Sequence, residues 1–355
     1  MRSFRPGDQG PEIHDIHERL GALVGPIDEA ERRDAMFGAS TQSAVRAFQE
    51  LRSLRVDGIV GPDTWGQLVE AGYRLGDRAL YLRSPQFRGD DVRGLQRKLN
   101  SLGFDAGKQD GLFGDKTAVA VREFQRNVGH ESDGIVGPHT VDALDHVRPL
   151  EDSTGRAEVR EREQLLAMHS SIEGQIIAVD LGPDASERGS VDVALSRVAT
   201  ALERELASLG AKPALLDDAR GDVAASDRAR SANELGATAC VSLQQGSASP
   251  DPGPVCSYFG SLSSHSPAGK LLARLILDEL EAEFGHKGTL RALTGAMLRE
   301  TRMPAVQVEP SLPTNLQGHG AFKEPPAPDR AGRAIAEGVR RFFLGGESER
   351  SIGPA

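Results

Sequence analysis

The spacing of apolar residues divides the chain into a helical first part and a second part in which strands alternate with helices. In the first part, apolar side chains recur every three or four positions, as one buried face of an α-helix requires. This spacing predicts two opening helices and four later ones, at Ile13–Leu20, Val92–Leu99, 41–51, 63–71, 116–127 and 139–146. We therefore expect an all-α structure up to residue 147.

From residue 175 onward, short apolar runs alternate with segments of helical spacing. The apolar runs predict strands at Ile176–Asp180, Pro213–Leu216, Ala239–Leu243, Val255–Phe259 and Ala305–Glu309. The intervening segments predict helices at 190–208, 221–235, 267–284, 289–300 and 328–343. Such alternation is typical of a mostly parallel sheet covered on both faces. Because these sheets bind ligands at the carboxyl ends of their strands, we expect Asp180, Gln244 and Glu309 to share one crevice.

The helical part contains an internal repeat at an offset of 76 positions. The segment 57–62, Asp-Gly-Ile-Val-Gly-Pro, is identical to 133–138, and the Phe-Gln pair at 48–49 recurs at 124–125. Asp-Gly predicts a tight turn, and the proline suits the first turn of the helix that follows. An ungapped repeat of this kind indicates two copies of one small module.

The Asp-Gly-x-x-Gly-Pro-x-Thr and Phe-Gln patterns resemble the three-helix peptidoglycan-binding module, present here at 6–72 and 86–147. The resemblance implies binding of muropeptides or glycan. Every residue that carries it is also a turn or core residue, so the pattern is equally compatible with a purely structural role. The first copy departs from the pattern at Ala35, which replaces the first turn glycine, and in the acidic stretch 28–31.

The segment 298–309, Leu-Arg-Glu-Thr-Arg-Met-Pro-Ala-Val-Gln-Val-Glu, is followed by Asn315. It resembles the strand that carries the catalytic glutamate of zinc-dependent N-acetylmuramoyl-L-alanine amidases, which cut the sugar–peptide bond of peptidoglycan. The resemblance extends over 173–345 and implies an amidase-like α/β domain with Glu309 at the position of the family's general base. The remaining segments are a charged linker and a short tail, 148–172 and 346–355.

The same resemblance places unsuitable residues at all three of the family's zinc-ligand positions, which here hold Pro183, Val191 and Gln244. Proline and valine side chains have no donor atom, and a neutral amide is a poor substitute for imidazole. We therefore expect no metal and no cofactor. The expected crevice is formed by Asp180, Gln244, Glu309 and Asn315.

Two functions remain open. The first is a catalytically degenerate amidase homologue that binds peptidoglycan fragments or precursors. It is similar to the actinobacterial CwlM group of this family, and that resemblance implies regulation of peptidoglycan precursor synthesis with a MurA-type enolpyruvyl transferase as a partner. The alternative is an active zinc amidase in which Glu187 or Asp192 substitutes for a missing ligand and Glu309 is the base. Asp192 lies one residue away from the family position, a rotation of about 100° around a helix.

Charge and composition narrow the choice of partners. The formal net charge of −10 argues against nucleic acid, which requires a clustered basic surface. No window approaches the roughly 18 apolar residues of a transmembrane helix, and the N-terminal residues lack the apolar stretch of a signal peptide. We therefore expect a cytoplasmic protein without a membrane span. Cys240 and Cys256 lie in apolar runs and are expected to be buried free thiols.

Overall fold

The computed structural model describes seven ranges of the chain: 3–147, 171–182, 193–216, 223–245, 253–261, 264–310 and 327–345. They fall into an N-terminal helical unit and a C-terminal α/β unit. Within these ranges, no helix combines the length and the apolar character that crossing a membrane would require.

The predicted helices of the first unit are all present, with ends within a few residues of the predicted ones. The helices are α1 (Pro11–Leu23), α2 (Glu29–Arg33), α3 (Ala39–Leu51), α4 (Pro62–Glu70), α5 (Asp90–Ser101), α6 (Asp115–Asn127) and α7 (Pro138–His146). Pro62 and Pro138 open their helices, because the first helical turn does not need the N–H that proline lacks.

The first module contains one short helix more than the three that the sequence predicts. Helix α2 forms from the acidic stretch of the first copy. Asp28 caps it, because the carboxylate accepts hydrogen bonds from the backbone N–H groups of Ala30 at 2.9 Å and Glu31 at 3.2 Å. Each module encloses its own apolar core, and the phenylalanines of the two Phe-Gln pairs, Phe48 and Phe124, are buried in separate clusters.

The described strands of the second unit form one sheet in the order β2-β1-β3-β6-β4-β5. The strands are β1 (Ile176–Leu181), β2 (Lys212–Leu216), β3 (Ala239–Leu243), β4 (Val255–Phe259), β5 (Thr289–Leu293) and β6 (Ala305–Glu309). All neighbouring pairs are parallel except β4 with β6. The expected α/β class with a mostly parallel sheet is therefore confirmed.

Helices cover both faces of the sheet. They are α8 (Val193–Ser208), α9 (Ala225–Glu234), α10 (Pro267–Phe284), α11 (Ala296–Glu300) and α12 (Ala327–Phe343). Helices α8, α10 and α12 contribute to the core on one face, and α9 and α11 to the core on the other. On α12, a Cβ added to Gly338 would lie 2.6 Å from the Cα of Ile276, so glycine is needed for this close helix contact.

The prediction of one helix over 289–300 is wrong for its first part. Residues Thr289–Leu293 form strand β5, which pairs with β4, and only Ala296–Glu300 is helical. The N–H of Thr289 donates to the carbonyl of Pro254 at 2.8 Å. Pairing with β4, which is distant in sequence, outweighs the local helical spacing here, because strand preference depends on the packing context more than on local sequence.

Candidate functional site

Three of the predicted crevice residues lie at the carboxyl ends of neighbouring strands. The parallel register aligns Asp180 of β1 with Ser242 of β3, and Ser242 with Gln307 of β6. Side chains alternate along a strand, so Gln244 and Glu309, each two residues further on, point to the same face as Asp180. That face is the one covered by α9 and α11. The sequence correctly placed these residues at strand ends.

The carboxylate of Asp180 is buried and is held by two charge-assisted hydrogen bonds. Its Oδ1 accepts from Arg228 Nε at 2.7 Å, and its Oδ2 accepts from the Ser242 hydroxyl at 2.6 Å. Arg228 lies on α9 and is itself buried, with Nη1 donating to the carbonyl of Val223 at 2.6 Å. A buried ion pair is tolerated only when further hydrogen bonds satisfy both partners, as they do here.

Arg228 is not predicted from the sequence. The only signal is an arginine within a helix whose other inward residues, Ala229 and Ala232, are small. From the sequence, such an arginine is predicted to face solvent. In the fold it pairs with the carboxylate of Asp180, 48 positions earlier.

The side chain of Gln244 folds back onto the strand ends. Its Nε2 donates to Ser242 Oγ at 2.9 Å, and its backbone N–H donates to the carbonyl of Val308 at 2.9 Å. A Cβ added to Gly182 would lie 1.9 Å from Gln244 Nε2, so the carboxamide occupies space that glycine alone leaves open. Gln244, Ser242, Asp180 and Arg228 therefore form one continuous hydrogen-bonded chain.

Glu309 is buried at the end of β6, 9% exposed. Its charge contributes to the raised pKa of the Cys256 thiol, for which burial is the larger cause. Burial, followed by the charge of Asp180, likewise raises the pKa of Cys240. Both cysteines are free and buried. Because the thiolate is the reactive form of cysteine, neither is suited to act as a nucleophile.

Several residues singled out in the sequence lie outside the described residues: Pro183, Val191, Asn315, Glu187 and Asp192. Of the three family zinc-ligand positions, that of Gln244 lies within the described residues. Its amide nitrogen is engaged with Ser242, and its oxygen is a neutral donor, whereas protein zinc sites are built from cysteine, histidine and carboxylate. The described ranges contain no group of three His, Cys, Asp or Glu side chains that could hold a metal ion. The described residues therefore do not fit zinc.

In the helical unit, a buried glutamine holds the Asp-Gly turn in three places. In each, Nε2 donates to the turn aspartate, to a backbone carbonyl and to a threonine hydroxyl, while Oε1 accepts from the turn glycine N–H. For Gln125 these partners are Asp133 at 2.8 Å, Ile135 at 3.0 Å, Thr140 at 3.3 Å and Gly134 at 2.9 Å. Gln49 and Gln96 repeat the arrangement.

At the fourth equivalent place, the first module has a histidine in place of the glutamine. His17 Nε2 lies 2.8 Å from Thr41 Oγ1, and the Thr41 hydroxyl donates to Glu31 Oε2 at 2.6 Å. Glu31 also accepts from the backbone N–H groups of Gly38, Ser40 and Thr41. Nearby, Ala35 adopts a left-handed φ of 46°, the conformation that the second module gives to a glycine.

The buried surroundings shift the pKa values of both titratable groups in this cluster, His17 and Glu31. Burial lowers the pKa of His17, and the charge of Glu31 opposes that effect only in part. For Glu31, burial acts to raise the pKa, but the hydrogen bonds from Thr41, Ser40 and Gly38 together outweigh it and lower the pKa below its ordinary value.

Comparison with known proteins gives a family match for each part of the chain. The model of the peptidoglycan binding domain matches residues 9–68 and 88–144, and that of N-acetylmuramoyl-L-alanine amidase matches 177–341. The chain is 34% identical over 376 residues to N-acetylmuramoyl-L-alanine amidase CwlM of Mycobacterium tuberculosis, covering 99% of this chain and 92% of that protein. This confirms the resemblance inferred from the motifs.

Two further matches each cover one part of the chain. N-acetylmuramoyl-L-alanine amidase CwlL of Bacillus licheniformis is 31% identical over 157 residues, which are 39% of this chain and 43% of that protein. Among solved structures, N-acetylmuramoyl-L-alanine amidase AmiC2 of Nostoc punctiforme aligns with 48% of this chain and 98% of its own, at 22% identity and a TM-score of 0.39.

Proposed function

Because this chain belongs to the N-acetylmuramoyl-L-alanine amidase family, we propose that it is a catalytically degenerate member, which binds peptidoglycan fragments or precursors and regulates their synthesis. The main observation behind the proposal is the environment of the Gln244 side chain. The side chain at a family ligand position is a neutral amide tied to Ser242 and packed over Gly182. The two matches of the helical part of the chain to the peptidoglycan binding domain support the interaction with peptidoglycan.

The chemistry of amide hydrolysis explains why this position matters. Zinc lowers the pKa of a bound water from about 15.7 to about 7 and polarises the scissile carbonyl. In the zinc-dependent chemistry of this family, a carboxylate at the position of Glu309 accepts the proton of that activated water. Gln244 does not supply the donor that this activation needs, and Asp180 is already committed to Arg228 and Ser242.

Sedimentation with purified peptidoglycan tests the proposal. The full-length protein should sediment with the polymer and release no soluble fragments, and the variant Glu309→Gln should behave in the same way. Release of fragments by the unmodified protein that disappears in Glu309→Gln would establish the alternative, an active amidase with substitute ligands such as Glu187 or Asp192.

The regulatory part of the proposal names a MurA-type enolpyruvyl transferase as the partner. Its support is the similarity to the CwlM group, which extends over nearly the whole chain. The rate of enolpyruvyl transfer by the purified transferase should change when this protein is added. An unchanged rate, together with no complex in size-exclusion chromatography, would contradict it. The proposal also places the protein in the cytoplasm, which fractionation of cells producing a tagged chain can check.

A further inference from the structure

The two modules of the helical unit contact each other through one shared carboxylate. Asp90 opens α5 in the second module, and Arg52 directly follows α3 in the first. The Arg52 guanidinium donates two parallel hydrogen bonds to Asp90, from Nη1 to Oδ1 at 2.8 Å and from Nη2 to Oδ2 at 2.7 Å. Arg93, one turn further along α5, donates to the same Oδ1 at 2.7 Å. Asp90 therefore pairs with one arginine from each module.

This bridge between the modules is largely shielded from solvent. The side chain of Arg52 is 14% exposed and that of Asp90 is 28% exposed. The Arg52 guanidinium also lies over the ring of Phe48, 5.6 Å from its centroid. A two-point arginine–carboxylate pair fixes orientation as well as distance, and a partly buried pair is screened by salt less than an exposed one. We therefore expect this pair to hold the modules more firmly than a surface ion pair would.

The arginine of the bridge is not part of the repeated module. Val128 stands 76 positions after Arg52, at the same place in the second module, directly after α6. The second module therefore folds without an arginine at this position. This difference between the copies indicates that Arg52 serves the contact between the modules.

The connector between α4 and α5 is also packed against the second module. Leu80 is buried in the core of that module and exchanges two backbone hydrogen bonds with Val136, at 2.8 and 3.2 Å. Earlier in the connector, the Arg78 guanidinium lies 3.7 Å from the centroid of the Tyr73 ring and donates to the buried Asp91 of α5 at 2.7 Å. The connector therefore leaves the modules little freedom to swing.

We propose that the bridge between Arg52 and Asp90 locks the two modules into one rigid body. Domains of one chain move relative to each other unless their interface prevents it, and here the bridge and the packed connector prevent it together. Because the arrangement is fixed when the protein folds, a polymer that contacts both modules does not have to order them. This consequence rests on the proposed peptidoglycan binding, whereas the lock itself does not.

The distance between two spin labels tests the lock in the full-length protein. One label is attached at Glu18→Cys on α1 and the other at Glu123→Cys on α6, two exposed positions in different modules. The native thiols of Cys240 and Cys256 are buried and should stay unlabelled. Double electron–electron resonance should then give one narrow distance distribution.

Two variants open the lock from opposite sides. Arg52→Gln alters the first module and Asp90→Asn the second, and each should broaden the distance distribution at least about twofold, because modules with a weakened interface move relative to each other. Arg33→Gln is the control and should leave the width unchanged, because Arg33 is exposed and pairs with its neighbour Asp34. The urea transition of Trp65 shows whether the first module is still folded. If one variant fails to fold, the other still tests the lock.

Sedimentation with purified peptidoglycan tests the consequence for binding. Arg52→Gln should bind the polymer several-fold more weakly than the unmodified protein, and Arg33→Gln should bind it equally well. A broad distance distribution in the unmodified protein, or equal widths for these two variants, would overturn the lock. Equal polymer affinities of the two variants would overturn its role in binding. If the unmodified protein does not sediment at all, the proposed function fails, and the label distances still decide whether the lock exists.

Discussion

Removing the guanidinium of Arg228 should destabilise the α/β unit strongly. In the variant Arg228→Ala, the carboxylate of Asp180, which is 0% exposed, keeps the hydrogen bond from the Ser242 hydroxyl at 2.6 Å but loses its counter-charge. Breaking a buried ion pair by deleting one partner costs about 3–5 kcal/mol. For a unit of this size, that corresponds to a fall in Tm on the order of 10 °C.

The same helix supplies the control. Arg230 pairs with Asp227 at 2.9 Å, but its side chain is 61% exposed. Arg230→Ala should therefore cost no more than about 1 kcal/mol. The double variant Asp180→Asn/Arg228→Ala should lose less than the sum of the two single variants, because it leaves no full charge buried without a partner.

Urea unfolding of the full chain measures these costs, and two probes separate the units. The single tryptophan, Trp65, reports on the helical unit, whereas Cys240 and Cys256 become accessible to thiol reagents only when the α/β unit opens. Arg228→Ala should shift the thiol transition and leave the Trp65 transition in place. Equal shifts for Arg228→Ala and Arg230→Ala would refute the role assigned to the ion pair.

Three further predictions concern the other buried groups. Gln125→Ala should lower the free energy of unfolding by about 2–4 kcal/mol, because it removes the side-chain hydrogen bonds that hold the Asp133–Gly134 turn. The control Arg126→Ala, at an exposed residue, should change it by no more than about 0.5 kcal/mol. Urea unfolding followed by circular dichroism compares the two variants. The pKa of His17 is lower in the folded state than its ordinary 6.5, so the unfolded state takes up a proton first as the pH falls through 6.5, and the Trp65 transition should move to lower urea. His17→Gln should remove that part of the pH dependence. The loss of stability below pH 4.5 should remain, because the pKa of Glu31 is lowered in the folded state and the unfolded chain takes up that proton first. Because burial raises the pKa of Cys240 and Cys256, both thiols should be inert to iodoacetamide at pH 7.5 in the native protein and react in denaturant; fast native labelling of either would contradict their burial.

The sequence was sufficient for most of the fold because the main signals are local. The repeated Asp-Gly turns, the prolines after them and the apolar spacing are short-range features, and they predicted the long helices of both modules. The strand Thr289–Leu293 was missed because its conformation depends on pairing with β4, which lies more than thirty residues earlier.

The candidate site was predictable only in outline. The rule that parallel strands end at one edge was enough to bring Asp180, Gln244 and Glu309 together. The partner of Asp180 was not predictable, because Arg228 lies on a helix that carries no motif. Similarly, the buried contacts of His17 with Thr41 and of Thr41 with Glu31 were not predictable, because they depend on helix α2 and on residues that meet across the module.

The metal content of the full-length protein, purified without chelators and measured by mass spectrometry, shows directly whether the chain holds a catalytic zinc ion. Gln244 is tied to Ser242 and offers no ligand of the kind zinc prefers. We therefore expect zinc far below one ion per chain, with no change in peptidoglycan binding after treatment with a chelator. About one zinc ion per chain, removed by the chelator together with a peptidoglycan-cleaving activity, would contradict it.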